Sequence, residues 1–319
     1  MTSPDDRMTT DRYLVAAFYC FNPWEEKTVA KLMEDLDSIG SQHDLMGTVL
    51  LALEGVNGTI CGPKQGVDFL LARLQNELPD GLFEVKLSWS KEQAFRRFKV
   101  RLKKEIVTMG IDEVNPLEEV GTYVDPADWN ELIDDPETLV VDTRNDYEVA
   151  VGEFQGALNP HTDCFRDFPA WVEQELRPIV EQKAPRRIAM YCTGGIRCEK
   201  ATSYLLQKGF TDVHHLRGGI LRYFEEVPEA ESRWNGECFV FDQRVALNHQ
   251  LLPGVHRLCH ACGLPLTPED MNLGSYRPGI QCRHCEDRFS DQDRLRFAER
   301  QRQMAQLRDP QTSKEGMFD

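Results

Sequence analysis

Three short apolar runs, TLVVD (138–142), RRIAMYC (186–192) and DVHHLRGGI (212–220), constrain this chain more than any other feature. Each reads as a buried strand. Between the last two lies CEKATSYLLQKG, where Ala201, Tyr204, Leu205 and Lys208 share a helical face and Gly209 supplies the stop. Strands separated by helices pair in parallel, because the intervening helix is the crossover that parallel neighbours need. Ligands of such sheets bind beyond the carboxyl ends of the strands, and Cys192 falls at one of those ends.

The chain ahead of these runs has a different order. YLVAAFYCF (13–21) and FEVKLSWS (83–90) read as strands, residues 25–42 and 66–78 as helices, and MGTVLLALEG (46–55) as a strand running into a turn-rich GVNGTICG. That order predicts an α+β sandwich of the split-βαβ, ferredoxin/acylphosphatase-like kind. Turn chemistry at Asp125-Pro126 and Asp135-Pro136 marks a second beginning. The expected division is an α+β domain over 1–115, an α/β domain with a parallel sheet over 120–230, and a small cysteine-rich region over 235–319. Its tail contains an Arg-rich segment suited to an exposed helix, and the last ten residues are expected to be disordered.

Charge narrows the partners. With 53 acidic and 37 basic side chains the net charge is −16, which disfavours indiscriminate attraction to nucleic acid or membrane. Against that background, residues 91–108 carry seven basic and two acidic side chains. Alternation puts Phe98, Val100 and Leu102 on one face of a strand and Lys99, Arg101 and Lys103 on the other, with Arg96, Arg97 and Lys104 flanking. A solvated strand face and a phosphate-contacting ribbon both fit this pattern.

No segment approaches the roughly 18 apolar residues of a membrane span, so no membrane partner is expected. YLVAAFYCF is too short and follows Asp5, Asp6 and Asp11, which fits a strand rather than a signal peptide. The ten cysteines fall into paired motifs and scattered singles, a pattern that favours a reducing cytoplasm.

In MYCTGGIRCEKA (190–201) a cysteine ends a strand and two glycines and an arginine lead into a helix. A thiol is a strong nucleophile only as a thiolate, and its pKa falls near a helix N-terminus or a cation. The amides of Thr193, Gly194, Gly195, Ile196 and Arg197 are expected to curl round Cys192, with both glycines in conformations closed to other residues. Arg197 adds positive potential. Cys198 suits either a resolving thiol or a small helix residue.

CHAC (259–262) and CRHC (282–285) lie nineteen residues apart, the spacing of a four-thiolate zinc site formed by Cys259, Cys262, Cys282 and Cys285. A closed four-sulfur site is structural by default; His260 and His284 are alternative ligands, and free or redox-paired thiols the bland reading. Cys20, Cys61, Cys164 and Cys238 read as packing or bystander residues.

VVDTRNDYE (140–148), GEFQGALNP (152–160), YCTGGIRC (191–198) and LRGGI (216–220), in that order, resemble a rhodanese domain. The resemblance implies a persulfide-carrying cysteine at Cys192, a loop closed by Arg197, and a bracing role for Asp142 and Arg144. Cysteine phosphatases of related fold have five residues between cysteine and arginine; here there are four. Adding LALEGVNGTICG (51–62), FKVRLKKEIVTMG (98–110) and the cysteine-rich C-terminus, the chain is similar to the bacterial tRNA uridine hydroxylases of the rhodanese-domain family. That resemblance implies oxygen-dependent 5-hydroxylation of the wobble uridine. Molecular oxygen is then co-substrate, and tRNA lies along Arg96, Arg97, Lys99, Arg101, Lys103 and Lys104. An aromatic neighbour for the unstacked base is sought among Tyr191, Tyr204 and Phe165. A thiosulfate or persulfide sulfurtransferase and a non-enzymatic tRNA adaptor remain as alternatives.

Overall fold

The computed structural model describes residues 13–79, 81 and 83–308. Two compact units are present, a larger one ending at Pro253 and a smaller one starting at Gly254.

The larger unit begins with β1 (Tyr13–Phe21), α1 (Glu26–Gln42), β2 (Met46–Ala52), β3 (Gly55–Gly62), α2 (Lys64–Gln75), β4 (Glu84–Ser90) and β5 (Phe98–Leu102). The strands form one sheet in the order β4-β1-β3-β2-β5, in which only the β2–β5 pair is parallel. One face packs on the two helices through Leu14, Ala16, Phe18, Val49, Leu51 and Leu32. The other face, carrying Ala17 and Tyr19, turns toward the rest of the unit.

The GVNGTICG stretch, expected to be turn-rich, forms the central strand β3. Gly58 does not break the strand, because a large neighbour occupies the place of its missing side chain. A Cβ on Gly58 would lie 2.8 Å from the Phe18 ring. Val56 and Ile60 on either side remain fully buried.

The second sheet is all parallel, in the order β6-β10-β9-β7. Its elements are β6 (Thr122–Val124), α3 (Pro126–Asp134), β7 (Thr138–Asp142), α4 (Asp146–Val149) and β8 (Gly152–Phe154), the last lying outside the sheet. Next come α5 (Phe168–Trp171) and α6 (Arg177–Lys183), joined by a π-helical turn, then β9 (Arg187–Tyr191), α7 (Ile196–Gln207), β10 (Val213–Leu216) and α8 (Gly219–Glu226). The three expected strands are present; β6, at three residues, is too short to leave a periodic signal.

Helix α7 is buried over nine consecutive residues, Arg197 to Leu205. Cys198, Ala201, Tyr204 and Leu205 enter the core of the parallel-sheet domain. Glu199 and Lys200, which a helix in contact with one sheet would expose, meet Tyr19, Glu54 and Glu105 instead.

After α8, β11 (Trp234–Gly236) pairs with β8, and β12 (Cys238–Phe239) pairs with β13 (Ala246–Leu247). Trp234, Cys238 and Leu247 join the core beneath α8, so the chain from 235 to 253, expected with the cysteine-rich region, packs with the larger unit. The smaller unit holds β14 (Arg257–Leu258), β15 (Pro265–Leu266), α9 (Pro268–Met271) and the Arg-rich helix α10 (Asp291–Arg308). The last ten residues lie outside the described ones. Among the described residues no helix is long and apolar enough to cross a membrane.

Candidate functional site

Cys192 follows the last residue of β9, and Gly195 caps the N-terminus of α7. The turn between them is held from outside by α8. Ile220 and Leu221 donate their amides to the carbonyls of Cys192 and Thr193 at 3.0 and 3.1 Å. With those carbonyls engaged on one side, the loop amides are free to point to the other. Gly219 makes this approach possible, since a Cβ there would lie 2.4 Å from the Cys192 carbonyl oxygen.

The sulfur receives the Gly195 amide at 3.1 Å, and the Cys198 amide and thiol also donate to it. Burial alone would push the Cys192 thiol up; the Cys198 hydrogen bond, the Arg197 charge and the two amides outweigh it and pull the pKa down to about 5. Cys198 moves the other way, held protonated by burial and by the neighbouring thiolate. Of the two glycines, only Gly195 takes a conformation closed to other residues, with φ +105°; Gly194 has an ordinary φ and open space where a Cβ would stand. The expectation for Gly194 is thereby corrected.

Arg197 does not face the cavity as a free cation. Its guanidinium pairs with Glu148 through bonds of 2.6 and 2.9 Å, and Thr193 Oγ1 accepts a third at 3.3 Å. Glu148, fully buried, closes a capping box on α4 with Asn145. Burial would raise its pKa, but Arg197 holds the carboxyl below the usual range. Asp142 and Arg144 form a second buried pair behind the loop. Arg144 donates to Asp142 Oδ1 at 2.9 Å and to the carbonyls of Glu148 and Gly152 at 3.3 and 2.7 Å, tying β7 to α4 and β8.

Cys192, Thr193, Gly194, Ile196 and Arg197 line a cavity of about 560 Å³ whose opposite wall is the free face of the first sheet. Register makes that wall orderly. Lys86, Ala17, Thr59, Thr48 and Lys99 form one row across all five strands, and Glu84, Tyr19, Asn57, Leu50 and Arg101 form the next. The first row has small side chains in the middle and a lysine at each end, four strand steps or about 19 Å apart. The sulfur itself has no exposed surface and lies at the bottom of this cavity.

Lys99, Arg101 and Lys103 thus share the face that looks onto Cys192, with Lys103 on the cavity wall. Arg96 and Arg97 precede β5 and Lys104 follows it, all three exposed. Among the described residues none of these six basic side chains forms an ion pair with a carboxylate. Of the three aromatic candidates only Phe165 lines the cavity. Tyr191 is buried against Phe154 and Trp234, and Tyr204 is in the core with its hydroxyl on Glu173. The half-exposed Phe241 and Phe95 also line it.

Sequence reasoning missed three polar residues here. Tyr19 donates to Glu199 Oε1 at 2.8 Å, and a Cβ on Gly195 would meet its hydroxyl at the same distance. Burial raises the Glu199 carboxyl to about 7, against the hydrogen bonds from Tyr19 and Tyr123. Lys86 lines the cavity with 7% of its surface exposed. Tyr19 and Lys86 come from the first sheet; EVKLSWS alternates and puts Lys86 on one face, whereas β1 is apolar along its whole length and gives no such signal for Tyr19.

In the smaller unit the sulfurs of Cys259, Cys262, Cys282 and Cys285 lie within 4.8 Å of one another, with separations of 4.0 Å (259–285), 3.7 Å (262–282) and 3.7 Å (282–285). A tetrahedral ion with metal–sulfur bonds of about 2.3 Å needs sulfur separations of about 3.8 Å, so this cluster fits a metal such as zinc. His260 and His284 are exposed and stand outside it.

The profile of the UPF0176 acylphosphatase like domain matches residues 13–106 and that of the rhodanese-like domain residues 125–226. A Prochlorococcus marinus protein named tRNA uridine(34) hydroxylase is 70% identical over 304 residues, 95% of this chain and 98% of its own. Proteins of the same name from Parasynechococcus marenigrum and a Synechococcus species are 61% and 60% identical, covering 99% and 92% of this chain and 99% and 98% of theirs.

Proposed function

The chain belongs to the tRNA uridine(34) hydroxylase family, and on that premise we propose that it hydroxylates C5 of uridine 34 in tRNA, with Cys192 as the reacting group, molecular oxygen as co-substrate and an external two-electron donor that reduces the second oxygen atom to water. The observation that carries this reading is the shared cavity: a low-pKa thiol at its bottom and, opposite, a sheet face whose edge strand carries Lys99, Arg101 and Lys103, the last on the cavity wall. An anticodon loop held by its phosphates along Lys99, Arg101 and Lys103, with Arg96, Arg97 and Lys104 at the ends, can turn one unstacked base toward the thiol. Phe165 is the proposed stacking partner.

The proposed chemistry begins with nucleophilic addition. The Cys192 thiolate forms a bond to C6 of the uracil, and the C5–C6 electron pair moves onto C5 and O4, which makes C5 electron-rich toward the oxidant. Arg197 and the amides of Gly195 and Cys198 hold the thiolate ready; Thr193, Gly194 and Ile196 shape the mouth; Asp142 and Arg144 support the loop from behind. Cys198 keeps its proton and lends it as a hydrogen bond.

Zinc is the proposed ion of the four-cysteine cluster, in a structural role. Metal analysis of the purified chain should find one zinc per molecule, lost in Cys282→Ser. The proposed compartment is the cytoplasm, where tRNA is found.

The decisive experiment is mass spectrometry of tRNA nucleosides from a strain lacking its own uridine 34 hydroxylase and supplied with this chain. Wild type should restore 5-hydroxyuridine and Cys192→Ala should not. Restoration by Cys192→Ala would remove the thiol from the chemistry. No restoration, together with turnover of thiosulfate, would favour a sulfurtransferase.

A further inference from the structure

Lys86 is not used by the chemistry above, yet it sits in the same cavity as Cys192. An ammonium group has three N–H donors and is costly to bury without acceptors. Among the described residues its one ion-pair partner is Glu84, and that contact is 3.5 Å long. Glu84 is shared in turn with Arg222 at 3.8 Å. The ammonium also lies 5.5 Å from the centre of the Tyr19 ring. The remaining charges that act on it are the Cys192 thiolate and Glu225. At least two of its donors therefore have no committed acceptor and border an open space.

The neighbours of Lys86 shape that space for something flat. Ala17 stands directly beside it in the register, then Thr59 and Thr48, so a planar ring can lie along the row with one edge at the lysine. Across the cavity is the thiol. A uracil offers two carbonyl oxygens, and O4 is the one conjugated with the C5–C6 double bond. A cation at O4 polarises C6 toward a thiolate and takes up the negative charge that the addition places on that oxygen.

Resting on the hydroxylase reading, we propose that Lys86 is a catalytic residue that binds O4 of the target uracil and presents C6 to Cys192. The acylphosphatase-like domain thereby supplies a chemical group as well as a basic wall. Burial, the leading influence on Lys86, lowers its pKa, and a more acidic ammonium makes the stronger hydrogen bond to a carbonyl.

The test compares two RNA hairpins of the anticodon arm, one with uridine and one with 4-thiouridine at position 34, since sulfur is a poor acceptor. Binding is measured on the full chain in a Cys192→Ser background, so that no covalent step intrudes. With Lys86 present, sulfur should weaken binding about tenfold or more. With Lys86→Met or Lys86→Gln the two hairpins should bind within about twofold of each other, because the lost contact cannot be lost twice. Glu84→Gln removes the ion pair but keeps the ammonium, and should retain the sulfur penalty. In cells, and with Cys192 intact, both Lys86 variants should lower 5-hydroxyuridine on the order of a hundredfold while melting like the wild type.

An equal sulfur penalty with and without Lys86, or hydroxylation by Lys86→Met within about threefold of wild type, overturns the proposal. Failure of the wild type to hydroxylate removes the reading on which it rests. The two failures are thus told apart.

Discussion

Arg197 grips Glu148 through two N–H···O bonds of 2.6 and 2.9 Å, with both side chains buried. The arginine that closes the thiol loop is therefore neutralised within the protein, and its pull on Cys192 is a residual one, aided by amides. The pair also joins α7 to α4, because Glu148 caps α4 and Arg197 opens α7.

Removing one charge from such a pair leaves the other buried alone. Glu148→Gln keeps the shape and should cost about 3–5 kcal/mol of stability, read from urea unfolding. A loss below about 1 kcal/mol would mean that the pair is open to water in solution.

The second prediction concerns the thiol. With a pKa of about 5, Cys192 is ionised across the neutral range. Its alkylation by iodoacetamide should reach half its maximal rate near pH 5 and stay flat above pH 6, whereas an ordinary thiol gains about tenfold per unit there. Cys198→Ala removes the strongest lowering contact and should shift the midpoint upward.

The sign for stability follows from the depressed value. The folded state prefers the thiolate between the folded pKa of about 5 and the unfolded value of 9.0. Wild type should accordingly gain stability over Cys192→Ala as pH rises through this window, and lose the advantage as pH falls through 5. A pH-independent difference between the two proteins would contradict the thiolate.

The thiol loop was legible because its chemistry is local: Cys192, Gly195 and Arg197 lie within six residues, and strand–turn–helix order fixes where they point. The four-cysteine cluster was legible for the same reason. Tyr19, Lys86 and Glu199 were not, since each looks ordinary in its own element and gains its setting only where the first sheet meets α7. Glu199 and Lys200 in particular carry no local signal of burial, because Tyr19, Glu54 and Glu105, which meet them, come from the first domain and its linker. In β3 the glycines look like turn signals, whereas Gly58 makes room for the Phe18 ring and Gly55 for the Cys20 carbonyl.

Lys200 fastens the first domain and its linker to α7. Its ammonium lies 2.9 Å from Glu54 and 2.8 Å from Glu105. Those carboxylates in turn accept the amides of Ile106, Met109 and Gly110. Burial tends to raise the Glu105 carboxyl, but Lys200 and the amides hold it below its usual value of 4.5. Lys200 thus holds the two carboxylates that order the linker at 105–110, alongside Asn57, which donates to the Ile106 carbonyl at 2.9 Å.

Lys200→Met should cost about 1–3 kcal/mol at neutral pH, less than a fully buried pair because both carboxylates keep some contact with water. A depressed carboxylate stabilises the fold above its unfolded pKa and ceases to do so on protonation. The gap between wild type and variant should narrow as pH falls below 4.5. Amide exchange at Ile106, Met109 and Gly110 should speed up in the variant; unchanged exchange there would show that Lys200 does not order the linker.

The basic row offers a test that does not involve the thiol. Arg101 and Lys103 are exposed and lie on the cavity side of β5. Each phosphate neutralised on a single-stranded loop contributes about 0.7 to the slope of log affinity against log salt. An Arg101→Ala, Lys103→Ala double variant should therefore weaken binding of an anticodon hairpin and lower that slope by about 1.4. Cys192 alkylation should stay as it was, because neither side chain is among the groups that set the thiol's charge. If the slope is untouched while affinity falls, the two residues meet bases rather than phosphates; if neither changes, the RNA path does not follow β5.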